Sequence, residues 1–136
     1  YQDDDVRETI RALRAGRFVA TLPDQDIPRL AGDFVPWFGI PARTPTGPGV
    51  LAQFAGGWVL PGHCLLAARG GYRWTWVFHC GPRVRFPRGA DRAGTARAIM
   101  AWTMAYQEAL VRRRPEQWVW WHRRWRTPPE AVGSPP

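Results

Sequence analysis

The stretch WVLPGHCLLAARGGYRWTWVFHCG, residues 58–81, decides the fold class. It is apolar and aromatic, holds no acid, and is interrupted by Gly70-Gly71, a pair suited to a two-residue hairpin turn. Strands are therefore expected on both sides of that pair. In the second arm Tyr72, Trp74, Trp76 and Phe78 alternate with Arg73, Thr75, Val77 and His79, so one face carries a packed or greasy row of rings. A turn at 70 and 71 sets His63 opposite Phe78 and Cys64 opposite Val77, leaving one histidine and one cysteine on each face. That is too few ligands for a structural zinc site, and no metal or other cofactor is expected.

Helical patterns flank this element. DDDVRETIRALRAG, residues 3–16, has aspartates at its start, Val6, Ile10 and Leu13 at helical spacing, and Gly16 as a stop. RFVATLP, residues 17–23, reads as a buried strand that delivers Asp24, Gln25 and Asp26 to its C-terminal edge, where open α/β sheets keep their ligand-contacting loops. Asp24 and Asp26 read equally well as a carboxylate pair or as turn and cap residues. DFVPWFGIPARTPTGPG, residues 33–49, reads as a Gly/Pro-rich loop. Thr46 is then placed to cap a helix with Pro48 in its first turn, Val50, Leu51 and Phe54 on one side, and Gly56-Gly57 at its end. A longer helix is expected from about 93 to 113, with Ile99, Met100, Thr103, Tyr106, Gln107 and Leu110 on one side and Pro115 as its limit. The ending TPPEAVGSPP reads as disordered. Together these give an α/β chain of central strands covered by helices.

GPGVLA, residues 47–52, matches the glycine pattern of a dinucleotide fingerprint. Pro41 and Pro45 argue against a strand before it, and no acid stands at the ribose position, so a helix start is the better reading. Covalent catalysis lacks a candidate: the one serine is Ser134 in the tail, and each cysteine points away from its adjacent histidine. No apolar run reaches the roughly 18 to 20 residues that span a bilayer. Two cysteines form no disulfide framework, and nothing at the start reads as a signal peptide. Tyr1 in place of Met leads us to expect that the chain begins inside a longer protein.

All 19 basic residues are arginine and the net charge is +8. Residues 1–30 are nearly balanced, with five arginines against six carboxylates, whereas 34–90 hold no Asp or Glu at all. The positive field therefore lies in the middle and the tail, and favours phosphates, acidic carrier proteins or anionic headgroups as partners. The tail itself, RRRPEQWVWWHRRWR at 112–126, holds six arginines and four tryptophans. It reads as a nucleic-acid binder without any recognisable binding module, as an interfacial membrane segment, or as plain structure with Trp118, Trp121 and Trp125 packed inward at helical spacing.

The order of these segments carries more information than any one of them. LPDQD, FVPWFGIPARTPTGP, LAQFAGGWVLP, GGY and then RRRPEQWVWWHRRWRTPP together resemble the C-terminal half of the bacterial lipid A biosynthesis acyltransferases, the lauroyl/myristoyl transferase family. The resemblance covers essentially the whole chain. It implies the C-terminal portion of a glycerolipid-acyltransferase-like mixed-sheet domain with helices on its faces, over residues 1–127, followed by a disordered tail at 128–136. It also implies an enzyme on the cytoplasmic face of the cell inner membrane. There it would move a fatty acyl chain from acyl carrier protein or acyl-CoA to a hydroxyl of a lipid A precursor, with no nucleic acid as partner.

In that family a histidine followed five residues later by Asp or Glu is the general base. Here the residues five after His63, His79 and His122 are Ala68, Val84 and Thr127, so the dyad is expected upstream and this chain alone is expected to be inactive. The resemblance assigns substrate-binding roles to Asp24, Gln25, His122, Arg123 and Arg124, and cleft-lining roles to Trp37, Phe38 and Trp120. Pro61 matches a strand end beside the cleft. A phosphatidylinositol mannoside acyltransferase shares the fold and mechanism, and a non-catalytic basic aromatic surface module is the reading from a different class. A half-domain is expected to expose a strand edge or an apolar face.

Overall fold

The structure, a computed structural model, describes residues 3–70, 73–86 and 91–132. In chain order they form α1 (Asp3–Arg14), β1 (Gly32–Trp37), β2 (Ile40–Pro45), α2 (Gly47–Ala55), β3 (Gly62–Gly70), β4 (Arg73–Cys80) and α3 (Arg92–Arg113). Two short 3-10 helices follow, Pro115–Gln117 and Pro129–Val132. The latter lies within the stretch expected to be disordered, and residues 133–136 fall outside the described residues.

The chain is mixed α/β, but the expected central mixed sheet is replaced by two separate antiparallel hairpins, β1–β2 and β3–β4. β1–β2 occupies the segment read as a loop. Its register pairs Trp37 with Ile40 around Phe38-Gly39, Pro36 with Pro41, and Gly32 with Pro45. Ladder bonds alternate along an antiparallel pair, and the pair flanking a two-residue turn is bonded. Pro36, Pro41 and Pro45 therefore all fall at non-bonded positions, and no ladder donor is lost. Phe38 and Gly39 have φ of 52° and 78°, the positive pair that a type I′ turn demands. A strand does therefore precede GPGVLA, despite its prolines. It belongs to an antiparallel hairpin, and the glycine has a different use: a Cβ on Gly49 would lie 2.6 Å from the Ala96 carbonyl, so the residue lets α2 approach α3.

The core lies where β1–β2 meets α3. Val35, Trp37 and Ala42 from the hairpin pack with Ile99, Met100, Met104 and Val111 from the helix. The expected face of α3 is right at Ile99 and Met100, but the deepest residues also include Met104 and Val111, while Tyr106 and Leu110 are only half-buried. Asp91 caps this helix by accepting from the Gly94 amide at 2.8 Å. On α2 the buried residues are Gly49 and Gln53, with Val50 and Phe54 turned outward, and Thr46 stands at the N-cap without a side-chain cap bond, its hydroxyl donating to the Ala31 carbonyl at 3.4 Å. Gln53 instead donates to the Arg92 carbonyl at 3.0 Å.

RFVATLP is not a strand. Residues 17–22 run as exposed chain, with Phe18 95% and Leu22 82% accessible. Strand propensity forms a strand only beside a pairing neighbour, and the described residues offer this segment none. β3–β4 forms as expected but out of the expected register, by two residues at 68–70, where Gly70 pairs with Arg73, and by one at 62–66, where His63 pairs with His79 and Cys64 with Phe78; the irregularity between Leu66 and Ala68 makes the difference. Gly70 is thus a strand residue, and the residues between the arms lie outside the described set. Of the two readings of the aromatic row, packed or greasy, Trp76 and Phe78 fit the second, being 58% and 65% exposed.

Candidate functional site

The chain after α3 does not continue as a helix. Pro115 ends the α-helical ladder, a single 3-10 turn follows, and the rest runs as turns across the molecule. Trp118 packs beside Trp37, ring centroids 5.4 Å apart. Trp121 and Trp125, expected to pack inward with it, are 85% and 41% exposed because the helical spacing does not exist.

Three polar anchors strap this tail down. Gln117 Oε1 accepts from the Leu66 amide at 2.8 Å, and its Nε2 donates to the Leu66 carbonyl at 3.4 Å, gripping β3 beside its irregularity. Arg124, 2% exposed, donates from Nη1 to the Arg43 carbonyl at 2.7 Å and from Nη2 to Thr44 Oγ1 on β2, and lies over the Trp37 ring at 5.6 Å. Thr127 donates its amide to Asp26 Oδ2 at 2.6 Å and its hydroxyl to Oδ1 at 3.2 Å.

Asp26 is the hinge of the arrangement. Its carboxylate is fully buried and faces Arg43 at 3.6 Å. Arg43 in turn donates to the carbonyls of Ile27 and Leu30, which shapes the turn after DQD. Burial pushes the Arg124 guanidinium below its ordinary value, and the Asp24 and Asp26 carboxylates oppose that fall. A buried arginine is tolerable only with such acceptors and counter-charges around it.

The strap therefore brings the closing motif to the DQD edge. Arg124 serves there as a buried strut. Arg123 is exposed, Gln25 is exposed and Asp24 is half-buried. His122 is half-buried with its ring edge-on to Trp118 at 5.3 Å, and both its ring nitrogens are buried without a hydrogen-bond partner among the described residues. Such a group invites a partner. The junction is made by Asp26, which the sequence reads only as half of a carboxylate pair or as a turn residue, and by Thr127, which carries no role there. The signal for Thr127 was its position directly behind the arginine run.

The expected cleft residues divide. Trp37 is 1% exposed and belongs to the core. Phe38 and Trp120 sit on its outer side, ring centroids 6.5 Å apart. Trp120 is 55% exposed and donates from its indole to the Pro115 carbonyl at 2.7 Å. The positive φ of Phe38 is held from both sides. Its amide donates to Glu108 Oε2 at 2.7 Å, Glu108 Oε1 accepts from Arg112 at 2.7 and 2.9 Å, and the Arg112 guanidinium covers the Phe38 ring at 4.6 Å. Burial alone would raise the Glu108 carboxyl, but the Phe38 amide and Arg112 outweigh it and hold it below the usual range.

A separate apolar groove of about 280 Å³ opens between the 17–23 segment, α2, residues 57–62 and α3. Val19, Leu22, Leu51, Leu60, Pro61 and Phe78 line it, together with Gln107, whose buried Oε1 has no hydrogen-bond partner among the described residues. Trp37, Phe38 and Trp120 do not reach it. Pro61, expected beside a cleft, does.

On β3–β4 the corrected register stacks His63 on His79 at 5.0 Å, and His63 Nδ1 lies 3.2 Å from the Tyr106 hydroxyl on α3. Burial first, and the neighbouring His79 second, lower the His63 pKa; burial and Cys80 raise that of Tyr106. One face of the hairpin thus holds both histidines, and alternation gives the other both cysteines. Among the described residues no three His, Cys, Asp or Glu side chains gather as metal ligands, and no helix is long and apolar enough to cross a membrane.

Comparison with known proteins adds the following. A family model described as bacterial lipid A biosynthesis acyltransferase matches residues 1–127. The lipid A biosynthesis lauroyltransferase of Escherichia coli (strain K12) is 33% identical over 132 residues, which cover 96% of this chain and 40% of the relative. The palmitoleoyltransferase of the same organism is 30% identical over 133 residues, again 96% and 40%. A phosphatidylinositol mannoside acyltransferase of Mycobacterium tuberculosis (strain CDC 1551 / Oshkosh) is 36% identical over 87 residues, 64% of this chain and 25% of the relative. The chain thus spans about two-fifths of the length of the lipid A enzymes it matches.

Proposed function

Since the chain belongs to the bacterial lipid A biosynthesis acyltransferase family, we propose that it forms the C-terminal part of an enzyme that transfers a fatty acyl chain to a hydroxyl of a lipid A precursor. The donor is acyl carrier protein or acyl-CoA, the place is the cytoplasmic face of the inner membrane, and the catalytic His/acid dyad lies outside these 136 residues. The observation that carries the reading is the strap: the closing motif returns to the DQD edge through Thr127–Asp26 and the charge of Arg124. Two distant parts of the family pattern thus build one locus.

At that locus the exposed Arg123, next to Arg124 in the chain, and the exposed Gln25 are the candidates to meet an anionic acceptor, while the ring nitrogens of His122 are buried. Arg124 acts by fixing the strap. The apolar groove, rather than Trp37, is the better seat for an acyl chain, and the unpaired Gln107 oxygen gives it a polar acceptor. The exposed, unpaired 17–22 segment supports the half-domain reading, because a strand-forming sequence with open sides is what a missing sheet neighbour leaves.

The test extends the reading frame upstream and assays its full product with acylated carrier protein and a lipid A precursor, reading the acyl mass added to the acceptor. An intact His-x-x-x-x-Asp/Glu motif and transfer activity are expected. Lack of the motif sinks the reading. The 36% identity over 87 residues favours a phosphatidylinositol mannoside as the second acceptor to try.

A further inference from the structure

Three residues that the proposed acyl transfer leaves unused meet behind one wall of the groove. His63 on β3 is half-buried between two rings: that of His79, stacked on it at 5.0 Å and 13°, and that of Tyr106 on α3, 5.9 Å away and tilted by 57°. Its Nδ1 lies 3.2 Å from the Tyr106 hydroxyl. Each of the three is the chain neighbour of a residue that lines the groove. His63 follows Gly62, His79 follows Phe78, and Tyr106 precedes Gln107. The packing here is close: a Cβ on Gly62 would stand 2.5 Å from the Phe78 ring, and a Cβ on Gly81 would meet the Tyr106 ring at the same distance. The seat of the hairpin on α3 at this cluster therefore sets where that wall of the groove stands.

We infer that His63, His79 and Tyr106 form a proton-sensitive clasp, which holds the β3–β4 wall of the groove against α3 when the imidazoles are neutral and loosens when they are charged. Neutral His63 accepts at Nδ1 from the Tyr106 hydroxyl and keeps its own proton on Nε2. A proton on Nδ1 turns that acceptor into a donor, so the hydroxyl has to rotate and accept instead. A charge on His79 then faces the first across the stack with like sign. The other titratable groups acting on the cluster are Tyr106 from α3 and Cys80 from β4, and neither carries charge while protonated. Carboxylates that could compensate are missing or engaged. Residues 34–90 hold none; Glu108, the one acid of α3, is bonded to the Phe38 amide and Arg112, and Glu116 in the turn that follows faces Arg114 at 3.8 Å. Burial first and His79 second act against a proton on His63, so the loosened arrangement takes it up before the closed one. The clasp is therefore closed above pH 6.5 and weakens as pH falls through that value toward the lower folded one. That a looser wall changes what the groove holds rests on the reading of the groove as an acyl seat; the clasp itself does not.

The test uses the full product of the reading frame and reads two quantities against pH: the ring protons of His63 by NMR, and hydrogen exchange of β3–β4 by mass spectrometry. After correction for intrinsic exchange, opening of β3–β4 should rise by about fivefold from about pH 7.5 to about pH 5.5, with β1–β2 unchanged. His63→Phe, which keeps a ring in the stack, should abolish the rise. His79→Phe should reduce it and move the His63 midpoint up, and Tyr106→Phe should loosen the hairpin at every pH. Binding of a fluorescent fatty acid should change over the same pH range in the unaltered protein and not in His63→Phe. A His63 midpoint at or above 6.5 would overturn the clasp without any variant. So would a rise of equal size in His63→Phe, a His63 midpoint unmoved by His79→Phe, or an equal rise in β1–β2. The expected exchange pattern with no fatty acid binding at any pH would support the clasp and sink the acyl-seat reading.

Discussion

β1–β2 and β3–β4 are both antiparallel hairpins with tryptophan and phenylalanine on their strands, yet Trp37 is 1% exposed while Trp76 and Phe78 are 58% and 65% exposed. The first hairpin lies between α3 and the returning tail. Its turn is bonded to Glu108, its Phe34 carbonyl to Arg97, and its β2 backbone to Arg124. The second is tied to the rest by Gln117 at Leu66, by Tyr106 at His63 and by the Val59–Val84 bridge at its base. Ring content is similar in the two; what differs is how many sides are covered by another element. Burial follows from neighbours.

The largest expected effect sets the two hairpins directly against each other. Trp37→Ala should cost about 3–5 kcal/mol in urea unfolding, whereas Trp76→Ala on the other hairpin should stay within about 0.5 kcal/mol; equal losses would break the comparison. Next, Asp26→Ala removes both acceptors of Thr127 and the counter-charge of Arg43, and should cost about 3 kcal/mol. Hydrogen exchange should then quicken in the tail and β2 and remain unchanged in β4. A smaller loss, about 1 kcal/mol, is expected for Gln117→Ala, with the Leu66 amide as the site of faster exchange.

The subtlest contrast is in pH. His63 has a lowered folded pKa, so the unfolded chain takes up a proton before the folded one, and stability near β3 declines as pH falls through about 6.5. Glu108 is also lowered, so its contribution is full above the ordinary carboxylate value of 4.5 and is lost below it, as pH falls through the lower folded pKa. Exchange monitored from pH 7 down into the acid range should show β3–β4 loosening first and the Phe38 turn later. The reverse order would show that these two groups do not control their hairpins.

How much was legible differs by element. The long helix was expected from about 93 to 113 and runs Arg92–Arg113, because Asp91 and Pro115 are local signals that need no partner. The 33–49 segment was misread because proline is a breaker on average; whether it breaks a particular hairpin depends on register parity, which the turn at Phe38-Gly39 sets. The slip in β3–β4 has the same origin. Gly70-Gly71 looked like the turn; Gly70 instead pairs with Arg73, and the irregularity between Leu66 and Ala68 takes one residue back, which pairs the two histidines. At the candidate site, Arg124 was singled out as a substrate contact, and its burial could not be read from an arginine-rich run.

The sequence by itself determined the family, the helices with their local stops, the existence of a hairpin around residues 62–80, and a middle segment of one charge sign. Those properties reside in composition, spacing and nearest neighbours. Only the tertiary structure decided that Asp26 and Thr127 meet across 101 positions, that Trp37 is inside and Trp76 outside, and that RFVATLP stays unpaired. Such contacts depend on which surfaces α3 and the tail bring together, and a side chain carries no record of what will be packed against it.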